Sequence, residues 1–288
     1  MKIVHVICGT TAVGKSDYAI EYAKKINGEI ICLDAFQIYH SMPILSAVPK
    51  KKDKDLIKHH LYEFLDPREK FSVAQYYNDC MQKIFELLDK GIAPILVGGT
   101  MLYLNVIENG LENEGKSENL EFRLKMQEYA KEHSNIALHA LLEDKDSAAF
   151  EKLHPNDIKR VIRALERTES TCEASIVRDD LKENEVSLNK VCLVGNREKL
   201  YLKIEDRIDK MIDGGILKEV ENLLNLGVNE SHTAFQAIGF KETSAYLKNA
   251  IDKEEWIRLF KRNTRRLAKR QLTWLRRQKN TEIIEIIL

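Results

Sequence analysis

The motif GTTAVGKS at residues 9–16 constrains the fold most, because it matches the phosphate-binding pattern G-x-x-x-x-G-K-[ST] in full. A β-branched run at residues 2–8 precedes it and a helical pattern at residues 17–26 follows it, which is the context that the motif requires. The glycines let backbone N–H groups approach phosphate oxygens, and the helix N-terminus adds its dipole. We therefore predict a phosphate site at Gly9, Thr10, Thr11, Ala12, Val13, Gly14, Lys15 and Ser16, with Ser16 as a Mg²⁺ ligand. The motif leaves open whether the ligand is a triphosphate or a diphosphate.

Strand-like and helix-like patterns alternate beyond the motif. Apolar runs at residues 30–33, 93–97 and 191–193 are typical of buried strands, and residues 73–90 have helical periodicity. Strands that alternate with helices indicate a parallel sheet with helices on both faces. Residues 111–189 contain amphipathic helical patterns instead, at residues 120–133 and 155–168.

The fold class predicted from these patterns is α/β. It has a P-loop NTPase-like parallel sheet core (residues 1–110 and 190–288), a helical insert subdomain (residues 111–189) and a helical C-terminal region. The helices of the C-terminal region are predicted at residues 200–213, 216–226, 236–249 and 253–278.

Charge is distributed unevenly along the chain. The 288 residues carry 45 Lys+Arg and 45 Asp+Glu, but residues 256–279 hold ten Lys or Arg and no acid. The remainder therefore has 35 basic and 45 acidic residues, a net charge of about −10. Such asymmetry points to a polyanionic partner, and the alternative is a solvated helix face.

Composition excludes several classes of protein. A 44% hydrophobic fraction with zero net charge excludes a disordered chain. No apolar run is long enough to span a membrane, and the N-terminal apolar stretch is too short for a signal peptide. Five widely spaced cysteines fit reduced thiols better than disulfides or a zinc site. We therefore expect a cytoplasmic protein that binds no membrane.

Polar residues follow two of the predicted strands. Asp34 ends the apolar run IICLD, where it could hold Mg²⁺ or act as a general base at the carboxyl end of the sheet. Gly98-Gly99-Thr100 ends the next strand, with Thr100 as an ordinary helix N-cap or as a donor aimed at the phosphate site. Residue types alone leave these alternatives open.

Together the motifs resemble the tRNA dimethylallyltransferase family, also called tRNA isopentenyltransferases, over nearly the whole chain. The motifs that carry the resemblance are GTTAVGKS at 9–16, DAFQIY at 34–39, HHL at 59–61, FSVAQY at 71–76, VGGTMLY at 97–103, HPNDIKRVIRALE at 154–166, RIDKMIDGG at 207–215, AIGFKE at 237–242 and KRQLTWLR at 269–276. Their joint order and spacing are highly specific.

The resemblance implies transfer of a dimethylallyl group from dimethylallyl diphosphate to N6 of the tRNA adenine beside the anticodon (adenine 37). It implies a diphosphate in the loop, Asp34 as general base, and stabilisation of the leaving group by Lys15, Thr100, Arg207 and Mg²⁺. It also implies a monomer that extrudes the target base from the anticodon arm. Without the resemblance, Arg207 would be read as a surface arginine paired with Glu205 or Asp209.

The resemblance further implies a set of tRNA contacts. These are Asp34, Ala35, Phe36, Gln37, Thr100, Arg123, Lys159, Arg160, Arg163, Gln236, Gly239, Lys241, Lys269, Arg270, Gln271, Trp274 and Arg276. The basic residues at 269–276 would neutralise phosphates, and Trp274 could stack on a base or anchor the core beside its leucine neighbours.

The chain departs from the family pattern at two places. Ala35 stands where a serine is usual, and Val48 stands where a lysine is usual, although Lys50 follows at once. Three other functions remain open at this point: a P-loop small-molecule kinase, an adenylate isopentenyltransferase acting on free AMP or ATP, and an RNA-binding protein without activity. The acid-free basic stretch and the long insert favour the tRNA enzyme over the first two, and the retention of Asp34, Thr100 and Arg207 argues against the third.

Overall fold

Six parallel strands form the central sheet of the computed structural model, which describes residues 2–112, 119–169, 177–278 and 280–288. The strands are β1 (Lys2–Gly9), β2 (Gly28–Leu33), β3 (His59–His60), β4 (Ala93–Gly98), β7 (Val186–Gly195) and β8 (Glu282–Ile286). Their order is β3-β2-β4-β1-β7-β8, and every pair is parallel. The short strands β5 (Leu111–Glu112) and β6 (Val177–Arg178) pair antiparallel with each other.

Helices account for most of the remaining described chain. They are α1 (Lys15–Ile26), α2 (Pro43–Ser46), α3 (Lys51–Leu56), α4 (Val73–Asp89), α5 (Met101–Asn109), α6 (Leu120–His133), α7 (Asn135–Ala140), α8 (Ser147–Lys152), α9 (Ile158–Thr168), α10 (Asp180–Glu183), α11 (Arg197–Asp213), α12 (Ile216–Asn225), α13 (Phe240–Leu247) and α14 (Lys253–Leu275). A 3₁₀ turn covers Thr233–Gln236. The predicted α/β class with a parallel sheet is confirmed.

The chain divides into two compact units. The first contains Met1–Gly110 and Asp179–Leu288, and the second contains Leu111–Arg178. The second unit therefore ends before residue 189, where the predicted insert ended. The reason is that β7 begins at Val186 and pairs with β1, so residues 186–189 belong to the sheet, and α10 contacts β7.

Two local differences from the predicted elements have clear causes. The predicted helix at residues 236–249 is a 3₁₀ turn followed by α13, because Gly239 has a φ of 100° and breaks the helical geometry. The strand β8 was not predicted, because only the pairing of its alternating sequence EIIEI with β7 distinguishes it from an exposed tail. The thiols of Cys8, Cys32, Cys80 and Cys192 are free and buried, whereas Cys172 lies outside the described residues.

The sheet interior forms the core of the first unit. Successive residues of β2 and β4 are buried on both faces of the sheet, as is usual for parallel strands covered by helices. Helices α1, α11, α12 and α14 contribute to one cluster, which includes the fully buried Trp256. The indole N–H of Trp256 donates to Thr243 Oγ1 at 3.0 Å, so this aromatic anchor is also satisfied.

In the second unit, α6, α7 and α9 pack around Leu138, Val161 and Leu165. Glu166 is buried among them and accepts hydrogen bonds from Arg123 Nη2 at 2.7 Å and Arg163 Nη1 at 2.6 Å. Burial alone would raise the pKa of Glu166, but the two guanidinium groups outweigh it and lower the pKa to about 2. This ion triad makes both arginines part of the architecture of the second unit.

Replacing Glu166 with glutamine should loosen the second unit by about 2 kcal/mol, because it leaves two half-buried guanidinium groups without a counter-charge. Hydrogen exchange of α6 and α9 amides measures this local opening. Since the folded pKa lies below the ordinary value of 4.5, the wild-type advantage exists above pH 4.5 and disappears as the pH falls towards 2. Glu169→Gln, at the exposed pair with Lys145, is the control and should change little. Equal effects of the two substitutions would contradict the structural role of Glu166.

Candidate active site

The carboxyl ends of three adjacent strands create the site. In the sheet, β4 lies between β2 and β1, and these strands end at Leu33, Gly98 and Gly9. The residues that follow them therefore meet at one edge of the sheet, where ligands of open α/β sheets bind. This topology brings the loop at 9–16, Asp34 and Thr100 together.

The loop at residues 9–16 is shaped to receive an anion. Ala12 and Gly14 have φ values of 64° and 98°, and Gly14 has open space where a Cβ would stand. Gly14 precedes α1 without any side-chain cap, so the first N–H groups of α1 have no partner within the helix. Lys15 Nζ donates to Thr10 O at 2.8 Å and faces the same cavity as the loop. The helix N-terminus and the lysine charge thus converge on one place.

Three charged side chains share this half-buried site. Burial lowers the pKa of Lys15 to about 8; Arg207 adds to the lowering and Asp34 opposes it. Burial also lowers the pKa of Arg207, which Asp34 partly restores. Burial raises the pKa of Asp34, although a backbone N–H and the two cations oppose that rise. Two cations therefore share one carboxylate, which leaves the site in need of an anion.

Asp34 is held by backbone contacts on both sides. Its Oδ1 accepts the Phe36 N–H at 2.9 Å, and Thr100 Oγ1 accepts the N–H of Ala35 at 2.9 Å. Thr100 precedes α5, but its side chain makes no cap hydrogen bond to that helix. Thr100 therefore occupies the N-cap position of α5, but its hydroxyl orients the segment that carries Asp34 instead of capping the helix.

Arg207 reaches the site because its acidic neighbours are engaged elsewhere. Glu205 pairs with Arg265 and Asp209 pairs with Lys261, both on α14. Residues 205 and 209 lie one turn apart on one face of α11, so Arg207 lies on the opposite face, along the cavity. The surface pairing of Arg207 considered from the sequence is absent from the described residues.

A cavity of about 600 Å³ extends from the loop, a volume in the usual range for small-molecule sites. Its lining combines charged and polar residues, among them Lys15, Arg207 and Gln236, with a set of apolar side chains. The apolar lining consists of Phe36, Leu45, Tyr62, Val97, Ile204, Ile208, Met211, Ile238, Phe260 and Leu267. The cavity therefore suits a molecule with an anionic head and a short apolar part.

The wall of the cavity at residues 43–47 depends on Glu219, which no sequence motif suggested. Its two carboxylate oxygens accept the N–H groups of Ile44 and Leu45 at 2.8 and 2.7 Å. Gln37 supports the same wall, because its Nε2 donates to Ser46 O and Ala47 O at 3.1 Å each. The amide hydrogens of Gln37 are thus committed to the protein, and only its Oε1 remains for the expected nucleotide contact. Tyr62 was also missed, although it adjoins the HHL motif.

The expected tRNA contacts fall into two groups. Six are exposed, namely Lys159, Arg160, Lys241, Lys269, Arg270 and Arg276, and Gln236 is exposed at the cavity. Four others have partners within the protein: Arg123 and Arg163 pair with Glu166, the Gly239 N–H donates to Glu242 Oε2, and Gln271 binds the phosphate loop. Contact of these four with tRNA stays a prediction. Trp274 is half-buried, which fits neither full burial as a core anchor nor full exposure for stacking on a base.

The basic stretch on α14 is less free than its composition suggests. Lys261 and Arg265 neutralise acids of α11, and Arg258 pairs with Glu255. In the described part of the chain, the exposed cations of this stretch without an ion pair are Arg266, Lys269, Arg270, Arg276 and Arg277. Lys279 lies outside the described residues. A compact basic surface remains, but only about half of the expected charge is available to a partner.

The residues of the site fit a magnesium ion that arrives with a phosphate group. Among the described residues, no cluster of three or more His, Cys, Asp or Glu side chains could hold a metal ion. Mg²⁺ commonly uses one or two protein oxygens, several waters and substrate phosphates, so such a cluster is unnecessary. The Ser16 hydroxyl beside the loop is the oxygen expected to hold the ion. His59 Nδ1 contacts Ile57 O at 2.7 Å, and His60 Nε2 contacts Glu29 Oε2 at 2.5 Å.

Comparison with known proteins decides the family. The family described as IPP transferase matches residues 37–278. The chain belongs to the IPP transferase family. Among its relatives, a tRNA dimethylallyltransferase of Acetivibrio thermocellus is 42% identical over 284 residues, covering 97% of this chain and 90% of that protein. One from Carboxydothermus hydrogenoformans is 42% identical over 94% of this chain and 88% of that protein.

Solved structures support the same family assignment. A tRNA isopentenylpyrophosphate transferase from Bacillus halodurans is 35% identical with a TM-score of 0.71, covering 99% of this chain and 89% of that chain. A eukaryotic dimethylallyltransferase acting on tRNA is 28% identical with a TM-score of 0.79, covering 99% and 74%. No helix in the described residues is long and apolar enough to cross a membrane.

The lowered pKa of Lys15 predicts a pH-dependent affinity for inorganic diphosphate. Because Lys15 loses its proton above about pH 8, the wild type should lose about tenfold in affinity between pH 7 and 9, relative to Lys15→Met at the same pH values. Isothermal titration with inorganic diphosphate measures this ratio. Lys24→Met, an exposed position on α1, is the matched control and should follow the wild type. A ratio that is constant across this range would show that Lys15 does not bind the anion as a cation.

Proposed function

We propose that this protein transfers the dimethylallyl group of dimethylallyl diphosphate to N6 of the adenine beside the anticodon of tRNA, releasing diphosphate. The observation that carries the proposal is one cavity that joins a cationic phosphate loop, a buried carboxylate and an apolar wall. The names of the relatives, tRNA dimethylallyltransferases, support this choice of substrates. The conclusion rests on the site together with the family.

The cationic end of the cavity suits the diphosphate. Loop N–H groups at the start of α1, with Lys15 and Arg207, surround the position of the leaving group. As the C1–O bond of the donor breaks, negative charge develops on the diphosphate oxygens, and fixed donors in a buried site stabilise that charge most strongly. Mg²⁺, held by Ser16 together with the phosphates, would supply further charge stabilisation.

Asp34 suits the role of general base. The lone pair of the exocyclic adenine N6 is delocalised, so the amine becomes a good nucleophile only if its proton leaves as the C–N bond forms. The Asp34 carboxylate is fixed by Phe36 N–H and faces the cavity. Burial raises its pKa, which strengthens it as a base. The proton lost by N6 would pass to Asp34 while the electrons of the C1–O bond leave with the diphosphate.

The tRNA side of the proposal rests on the surface around the cavity. Arg270 and Gln236 line the cavity and are exposed, so they could contact the extruded adenosine. The exposed cations of α14 around Lys269 would neutralise tRNA phosphates. Free cysteine thiols support a cytoplasmic location. The proposal also includes that the protein binds the anticodon arm as a monomer.

The decisive experiment compares tRNA with AMP as acceptors of radiolabelled dimethylallyl groups. We expect label on tRNA with adenine beside the anticodon, and none on AMP. Label on AMP alone would identify an adenylate isopentenyltransferase. ATP-dependent phosphorylation without prenyl transfer would identify a kinase.

Asp34→Asn should reduce the transfer rate about 10²- to 10⁴-fold, because the amide keeps the shape of the side chain but accepts no proton. Diphosphate binding, measured by isothermal titration, should stay within about threefold of wild type. Asp206→Asn removes another carboxylate along the cavity, on α11, and serves as the matched control. Transfer that survives Asp34→Asn would contradict the assignment of the base.

Lys269→Ala should weaken tRNA binding similarly for all sequences and reduce the slope of log K against log salt by about one. Lys253→Ala, an exposed position in the first turn of the same helix beside Glu254 and Glu255, should leave the slope unchanged. Filter binding at several salt concentrations measures both variants. Equal slopes for Lys269→Ala and the wild type would place the tRNA away from this part of α14.

A further inference from the structure

Gln271 is a buried polar residue in the basic stretch of α14. It is 7% exposed, whereas its neighbours Lys269 and Arg270 are exposed. Its Oε1 accepts the N–H of Thr11 at 2.8 Å, and its Nε2 donates to the carbonyl oxygen of Gly99 at 3.0 Å. One carboxamide therefore connects the phosphate loop to the segment that carries Thr100.

The two contacts lie where the backbone pairing of the sheet stops. The register of β1 and β4 ends at the pair of Cys8 and Gly98. Beyond that pair, β1 continues into the phosphate loop and β4 continues into the turn before α5. The side-chain amide of Gln271 accepts a hydrogen bond from the segment after β1 and donates one to the segment after β4, as the peptide group of an intervening strand would. It thereby extends the connection between the strands into the site itself.

The space for this carboxamide depends on Gly99. A Cβ at residue 99 would stand 2.5 Å from Gln271 Nε2, well inside contact distance. Any other residue at position 99 would displace the amide. The glycine of the VGGT motif thus admits a side chain from a segment 172 residues away.

The helix that presents Gln271 is itself fixed to the other wall of the site. Lys261 and Arg265 of α14 pair with Asp209 and Glu205 of α11, the helix that carries Arg207. Gln271 adds the phosphate loop to the same support. Contacts of α14 therefore hold both the loop that carries Lys15 and the helix that carries Arg207, so the distance between these two cations depends on α14.

We propose that Gln271 is a positioning residue of the diphosphate site: its carboxamide fixes the phosphate loop against the end of β4, and it makes no contact with tRNA. This role depends on the proposed function only for the identity of the ligands, a diphosphate and tRNA. Thr11 and Gly99 remain bound to Gln271 while the neighbouring N–H groups of the loop and α1 receive the diphosphate.

The test compares Gln271→Met, which keeps the length of the side chain but loses both hydrogen bonds, with Gln271→Glu. For Gln271→Met we expect at least about tenfold weaker binding of inorganic diphosphate and of dimethylallyl diphosphate, with tRNA affinity within about twofold of wild type. Thr273→Val is the matched control, because Thr273 is exposed on the same helix and its hydroxyl donates to Lys269 O, one turn earlier in that helix. It should change neither affinity.

The pH profile of Gln271→Glu separates positioning from a general loss of structure. A protonated glutamic acid can reproduce both hydrogen bonds of glutamine, whereas a carboxylate cannot donate to Gly99 and repels the ligand. Diphosphate affinity relative to wild type should therefore recover as the pH falls from 8 to 5 in Gln271→Glu, but not in Gln271→Met. Exchange of the Thr11 amide with solvent should be fast in Gln271→Met and slow in the wild type.

Three results would overturn the proposal: weaker tRNA binding with unchanged diphosphate binding, unchanged affinity for both ligands, or no recovery of Gln271→Glu at low pH. Binding of each substrate is measured separately from transfer. A wild type that binds diphosphate through the loop but transfers no dimethylallyl group would refute the proposed function and leave the role of Gln271 open to the same binding test.

Discussion

Two cations and one carboxylate, Lys15, Arg207 and Asp34, lie together half-buried at the carboxyl end of the sheet. Burying unbalanced positive charge is costly, and the lowered pKa values of both cations express that cost. An anion that enters the cavity supplies the missing counter-charge. The surrounding contacts hold these three groups at fixed positions before the ligand binds.

Each of the three groups has its own support, and the supports come from distant parts of the chain. Thr100 on the turn after β4 holds the segment of Asp34. Ion pairs from α14 occupy the acids on either side of Arg207 and leave that guanidinium for the cavity. Gln271 holds the loop that carries Lys15, and Glu219 holds the opposite wall. The helix α14, which carries the basic surface, therefore also completes the phosphate site. The same helix would thus contribute to binding of both tRNA and the diphosphate.

The fold and the central site could be predicted from sequence because their signals are local. The phosphate loop, the strand ends at Asp34 and Thr100, both boundaries of α6 and the C-terminal end of α11 follow from periodicity and short motifs. Predictions were weaker where a contact joins distant residues. Nothing near Gln271 in sequence shows that its amide faces Thr11, and nothing near Glu166 shows that it neutralises Arg123 and Arg163. Charge counts overestimated the free basic surface for the same reason, since Lys261 and Arg265 have partners on α11.

A crystal structure with the unreactive thiolo analogue of dimethylallyl diphosphate tests the central claim most directly. The account predicts the diphosphate in the loop at residues 9–16, in contact with Lys15 and Arg207, and the dimethylallyl group against Phe36 and Tyr62 with its C1 atom facing Asp34. A diphosphate bound away from the loop, or a dimethylallyl group pointing away from Asp34, would contradict it.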